Sequence, residues 1–187
     1  MADAAQRGGA GRLVHGLAMV LALAGGLVLA LITIMTVLSI SGRALIFAGL
    51  GPVPGDYELV EAGSAFAVFA FLPWCHLTRA HASVEIVTQA FGTRINRIID
   101  IVVDLLMLAV ASVLAWQHWL GTLDKLAYGE TTFILRFPLW WAYAAGLVGA
   151  VAFVIVAIYC LVRSIAAFND PEKPEDTATI ASGGAHL

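Results

Sequence analysis

Four stretches of the chain carry no Asp, Glu, Lys or Arg: 13–42, 62–78, 105–123 and 137–162. A helix needs about 20 apolar residues to cross a hydrocarbon core of about 30 Å. Three of the stretches approach or exceed that length alone. The second must borrow the turn beginning at Asp56, which sets Glu58 and Glu61 at its rim. The pattern predicts an all-α integral membrane protein with four transmembrane helices, at about 13–41, 56–78, 99–121 and 138–164. Arg7 and Arg12 precede the first stretch and Ala22-Leu23-Ala24 resembles a signal cleavage site. A signal h-region is about 7–15 residues long, half of what is present, so the stretch reads as a retained helix.

Between the second and third stretches the period changes. Val84, Val87, Phe91, Ile95 and Ile98 recur at helical spacing, while Glu85, Gln89, Thr93, Asn96 and Arg97 occupy other faces. Residues 82–98 therefore predict an amphipathic helix lying on the cytoplasmic membrane surface, or else an extension of the third helix into the cytoplasm. The loop 43–55 holds Pro52 and Pro54 and ends in Gly55-Asp56, a helix-starting pair. The loop 122–137 contains Phe133, Ile134, Leu135 and Phe137, apolar enough to press on the membrane or a partner. Residues 1–12 form a short N-terminal tail. Residues 169–187, with Pro171, Pro174 and small polar residues, predict a disordered cytoplasmic tail.

Composition supports this reading. Of 187 residues, 60% are hydrophobic and 12% charged, against about 25% charged in soluble domains. The net charge of -3 gives no hint of nucleic acid as a partner. Cys75 and Cys160 have neither disulfide-framework nor metal-ligand spacing. Arg7, Arg12, Arg79, Arg94, Arg97, Arg163 and Lys173 would share one side of the membrane, and Arg43, Lys125 and Arg136 the other. This asymmetry places both termini in the cytoplasm. Tyr57, Trp116, Trp119, Trp140 and Trp141 then fall at the outer rim, with Trp74 and Tyr159 at the inner one. Small residues recur every fourth position at Ala18, Ala22, Gly26 and Ala30, and at Ala142, Gly146 and Ala150, forming ridges for close helix packing.

Little in the spans suggests chemistry. Asp100 and Asp104 lie one turn apart at the expected start of the third helix, where they complement the helix N-terminus and Arg97 or form a cation or proton site. Glu58 and Glu61 pose the same choice, and the deeper Glu61 calls for a partner such as Arg43 or a group on another subunit. A haem-binding anchor of an oxidoreductase is a rival reading, but His15 and His76 read as rim residues and His118 falls toward the opposite end from His76. A stand-alone small transporter is another. Pro73 removes one backbone hydrogen bond from the second helix and predicts a kink.

Two stretches carry the reading further. One is Glu58-Leu59-Val60-Glu61, then Phe71-Leu72, then Arg79-Ala80-His81-Ala82-Ser83-Val84-Glu85. The other is Phe137-Pro138-Leu139-Trp140-Trp141-Ala142-Tyr143, followed by Gly146 and Gly149. Together, in this order and over roughly residues 13–168, they resemble the small permease subunit (DctQ-like) of tripartite ATP-independent periplasmic (TRAP) transporters. Glu85 stands where the family commonly has Asp, and Phe137 where it has Ile.

The resemblance implies a scaffold without catalysis, resident metal or cofactor. Its partners would be a large multi-helix permease subunit, a periplasmic substrate-binding protein and the lipid bilayer. The large subunit would carry the organic-acid cargo and the coupling ion, sodium in most such systems, across the bacterial inner membrane. Arg43, Glu58, Glu61, Arg79, His81, Pro138 and Trp140 become the candidate positions at the subunit or lipid boundary.

Overall fold

The computed structural model describes residues 9–78 and 93–169. Among these residues are four long α-helices: α1 (Gly9–Ala44), α2 (Asp56–Leu77), α3 (Thr93–Tyr128) and α4 (Trp140–Asn169), with a 3₁₀ turn at Ile46–Ala48. All four are long and apolar enough to cross a membrane. There is no β-strand among the described residues, only an isolated bridge between Thr131 and Pro138. The chain is thus an all-helical multi-pass membrane protein.

All four helices are longer than the charge-free windows that announced them. At 1.5 Å per residue the 36-residue α1 and α3 are each about 54 Å long, well beyond a 30 Å core. Charge marks where water begins, and a helix needs no water boundary to continue. Residues 93–98 form the first turns of α3, as the second of the two readings of 82–98 has it. Residues 82–92, with most of that segment, lie outside the described residues, as do Arg79, His81 and the tail 170–187.

The helices form a row in the order α1, α2, α4, α3. Extensive contacts join each neighbouring pair, while α1 touches α4 only lightly. The two faces of this row are left to lipid or to other proteins, so large apolar side chains such as Leu13, Val20, Leu106 and Val148 are exposed along it. Burial is confined to the seams. Ala18 packs with Val156 and Cys160, Leu21 with Ala70 and Ala152, and Ala111 with Phe153 and Ala157.

Small residues set the seam distances, because in lipid helices associate through close backbone packing rather than water exclusion. A Cβ on Gly149 would sit 2.7 Å from the backbone carbon and oxygen of Phe69, so α2 and α4 approach there without any side chain between them. The ridge expected along Ala142, Gly146 and Ala150 lies in this seam, with Gly146 and Ala150 buried. The ridge expected along α1 does not hold beyond Ala18. Gly26 faces open space and Ala30 is exposed, whereas Gly25 meets the Ala70 side chain. A spacing of four advances about 40° per step around a 3.6-residue helix, so the seam follows 18, 21 and 25 instead.

Candidate functional site

Polar side chains gather at two ends of the row: the loop end, where residues 45–55 and 129–139 connect helices, and the termini end, where α1 begins and α4 finishes. At the loop end Asp56 is the hub. It opens α2, placing a carboxylate at the positive end of the helix dipole. Ser39 Oγ of α1 donates to Asp56 Oδ2 at 2.5 Å and accepts the backbone N–H of Val53 at 3.2 Å. Arg43 Nη2 stands 3.7 Å from the same Oδ2. These contacts close the 45–55 loop and fasten the top of α1 to α2.

Arg43 therefore serves Asp56. It does not serve Glu61, the partner its position in the sequence suggested. Glu61 is exposed on the free face of α2. Neither Ser39 nor Asp56 stood out as a site residue in the sequence. The available signal was a lone serine near the end of an apolar helix, followed at helix-hairpin distance by an acidic helix start.

Glu58, one residue past Tyr57, does different work. Its Oε1 accepts the backbone N–H of Ile134 at 2.7 Å and its Oε2 that of Leu135 at 3.0 Å. One carboxylate thus satisfies two consecutive donors of the second loop. That loop is ordered further by its own bonds, from Thr132 N to Phe137 O at 3.1 Å and from Leu139 N to Glu130 O at 2.9 Å. Lys125 Nζ closes on Glu130 Oε2 at 2.7 Å. Gly55, with φ 76, makes the left-handed turn into α2, and a Cβ there would strike Leu135. The loop is consequently a built structure whose tip is apolar: Phe133 is 98% exposed. Pro138 pairs with Thr131 in the bridge, and Trp140 opens α4 edge-on to Trp141.

At the termini end three helices share a buried polar knot. Ser164 Oγ of α4 donates to Asp104 Oδ2 of α3 at 2.5 Å, and Asp104 Oδ1 lies 3.7 Å from His76 Nε2 of α2. His76 and Asp104 are each only 4% exposed. The sequence placed both at rims. Asp104 is instead eleven residues inside α3, because that helix starts at Thr93, and His76 turns inward against Phe153. Buried polar groups of this kind are tolerated in a membrane protein when other helices supply their partners. The helix α2 runs through Pro73, which is buried in the same region.

His118 belongs to neither end. It stacks on Tyr143 at 5.3 Å, lies against Phe69 at 4.6 Å, and its Nε2 is 2.9 Å from the Tyr143 carbonyl oxygen. His15 meets Trp74 edge-on at 5.2 Å. Each histidine among the described residues is thus engaged with protein groups of neighbouring helices. No cluster of three or more potential metal ligands occurs among the described residues.

The whole arrangement is one of fastening. Asp56, Glu58 and Asp104 hold helices and a loop of this chain.

A family described as "Tripartite ATP-independent periplasmic transporters, DctQ component" matches residues 32–167. No curated protein and no solved structure gives a match.

Proposed function

The chain belongs to the DctQ component family of tripartite ATP-independent periplasmic transporters, and from that premise we propose that it is the small membrane subunit that braces a large permease. It is a transporter component and not an enzyme. In this reading the large subunit binds the cargo and the coupling ion, sodium by expectation. A periplasmic binding protein delivers an organic acid to the pair. The small subunit keeps the static part of its partner in place, with both termini in the cytoplasm of a bacterium and the loop end facing the periplasm.

One observation carries the proposal beyond family membership. The acidic groups with described partners at the two ends of the spans hold this chain's own elements together, as Glu58 does for the 129–139 loop and Asp104 for the α2–α3–α4 seam. A bracing subunit needs that internal rigidity together with broad apolar flanks for a partner and lipid. Both are present, and α1 and α3 carry most of the bare apolar surface. Arg43, Glu58, Pro138 and Trp140 then act by shaping the periplasmic end, while Glu61, on a free face, is the position that would meet another subunit directly.

Co-expression tests it. Tagged chain produced with the large permease encoded beside it is expected to elute as a stoichiometric complex, and organic-acid uptake by cells is expected to require both together with the binding protein and a sodium gradient. A chain that elutes alone, with uptake undiminished by its deletion, would overturn the proposal.

A further inference from the structure

At the termini end α1 and α4 meet, through Ala18 against Val156 and Cys160. Toward the loop end they diverge, and only α2 lies between them. Gly63 of α2 keeps α1 close by accommodating Val28 and Ile32, whereas no described side chain fills the corresponding angle between α1 and α4. The result is an open groove of about 670 Å³ with an almost wholly apolar lining. Its floor is Ala62, Gly63 and Phe66, and its walls run along Val28–Met35 of α1 and along Phe137 of the loop with Trp141–Ala145 of α4.

The length of the groove selects its occupant. The lining spans eight residues on α1 (28–35) and eight on α2 (59–66), about 10–12 Å at 1.5 Å per residue, and five on α4 (141–145). Beyond that the cluster of Leu21, Ala70 and Ala152, with Phe66, closes the passage. A helix of another subunit crosses the full core of about 30 Å and needs a slot through both leaflets. An acyl chain belongs to one leaflet and ends near the midplane, about 15 Å in. The groove matches the second.

A cation and an anion flank the lining in sequence, Glu61 before Ala62 of the floor and Arg136 at the loop wall, and the cation has the more unusual backbone. Arg136 directly precedes the lining residue Phe137. It is exposed, has no ion pair with another described residue, and holds φ 52, the single left-handed non-glycine among the described residues. A bulky residue keeps such a conformation only where its surroundings enforce it, and these positions cluster where ligands bind. Guanidinium matches phosphate geometry better than any other side chain.

We propose that this groove is a phospholipid site, with one acyl chain lying over Ala62 and Gly63 and the headgroup phosphate held at Arg136. The lipid completes a row of helices that would otherwise leave a notch in the loop-side leaflet.

Native mass spectrometry of the full chain, incubated with dioleoyl phosphatidylglycerol in detergent, tests this directly. Wild type is expected to retain one lipid per chain. Ala62→Phe fills the floor and is expected to lower the affinity about tenfold, as is Ala145→Phe from the opposite wall. Arg136→Gln weakens retention by severalfold while helicity stays unchanged. Val148→Phe, on an exposed face of α4 outside the groove, leaves it intact. Equal retention by wild type and both groove-filling variants overturns the proposal, as does an equal loss in Val148→Phe. Unchanged lipid retention in Ala62→Phe combined with lost co-purification of the large permease would assign the groove to a partner helix instead. The lipid measurement uses this chain alone, so its failure leaves the bracing function standing.

Discussion

Glu58 accepts the backbone N–H of Ile134 at 2.7 Å, joining the first turn of α2 to a loop 76 residues away. Leu135 donates to the other oxygen of the same carboxylate. A side chain thus replaces the water that would otherwise bind two adjacent amides. The expected consequence of Glu58→Ala is local. Ile134 and Leu135 amides exchange with deuterium at least about tenfold faster. Exchange at the α4 amides stays as in wild type. Glu58→Gln retains one acceptor oxygen, so a rate between the two is expected.

Ser39 presents the same logic on the neighbouring hairpin, with one hydroxyl serving Asp56 and Val53. Ser39→Ala removes a buried hydroxyl that donates to Asp56 and leaves the Val53 N–H without its acceptor. A loss of about 1–3 kcal/mol is expected, read as a lower thermal midpoint in detergent. Ser41→Ala, two residues on at an exposed position, serves as the control and is expected to change nothing.

The knot at the termini end is testable by a double-mutant cycle. Asp104→Asn and Ser164→Ala each remove part of one hydrogen bond between α3 and α4. The pair is expected to cost less than the sum of the single changes, with a coupling of about 0.5–3 kcal/mol, since both remove the same contact. Additive losses would mean that the bond contributes nothing. His76→Leu, which takes away the imidazole facing Asp104 but keeps bulk against Phe153, is expected to lower the midpoint as well.

Two glycines give opposite expectations from the same substitution. Gly149→Ala places a methyl group 2.7 Å from the Phe69 backbone, which cannot rotate away. Forced separation of α2 and α4 is expected to cost about 1–3 kcal/mol. Gly26→Ala meets nothing within 4 Å and is expected to be neutral, or to stabilise by up to about 1 kcal/mol through helix propensity. Thermal unfolding of the two variants side by side checks both.

The spans were legible because the bilayer excludes charge, so windows free of Asp, Glu, Lys and Arg mark crossings whatever the fold. The same signal misjudges helix ends. The turns of α3 from Thr93 onward carry Arg94, Arg97 and Asp100 yet stay helical, because backbone hydrogen bonding is indifferent to whether lipid or water surrounds it. Glu58 could be singled out as an acidic helix start, but its ligands are backbone amides of a distant loop, and amides leave no trace in residue identity. Asp104 and His76 were misplaced for another reason. Whether a polar residue near a membrane boundary faces out or in depends on which helix packs beside it, and the order α1, α2, α4, α3 is not the order of the sequence.

That row has a consequence for how damage to the chain will show itself. The middle pair, α2 and α4, meets a neighbour on either side, whereas α1 and α3 form the margins and remain largely bare. Lesions in the middle, such as Gly149→Ala, are expected to be cleared as misfolded chains and to lower abundance. Lesions on the margins are expected to leave a stable, orphaned protein that accumulates without company. A survey that scores both abundance and complex formation across the chain would separate the two classes by position, tracing the marginal helices as a map of the neighbouring subunit's footprint.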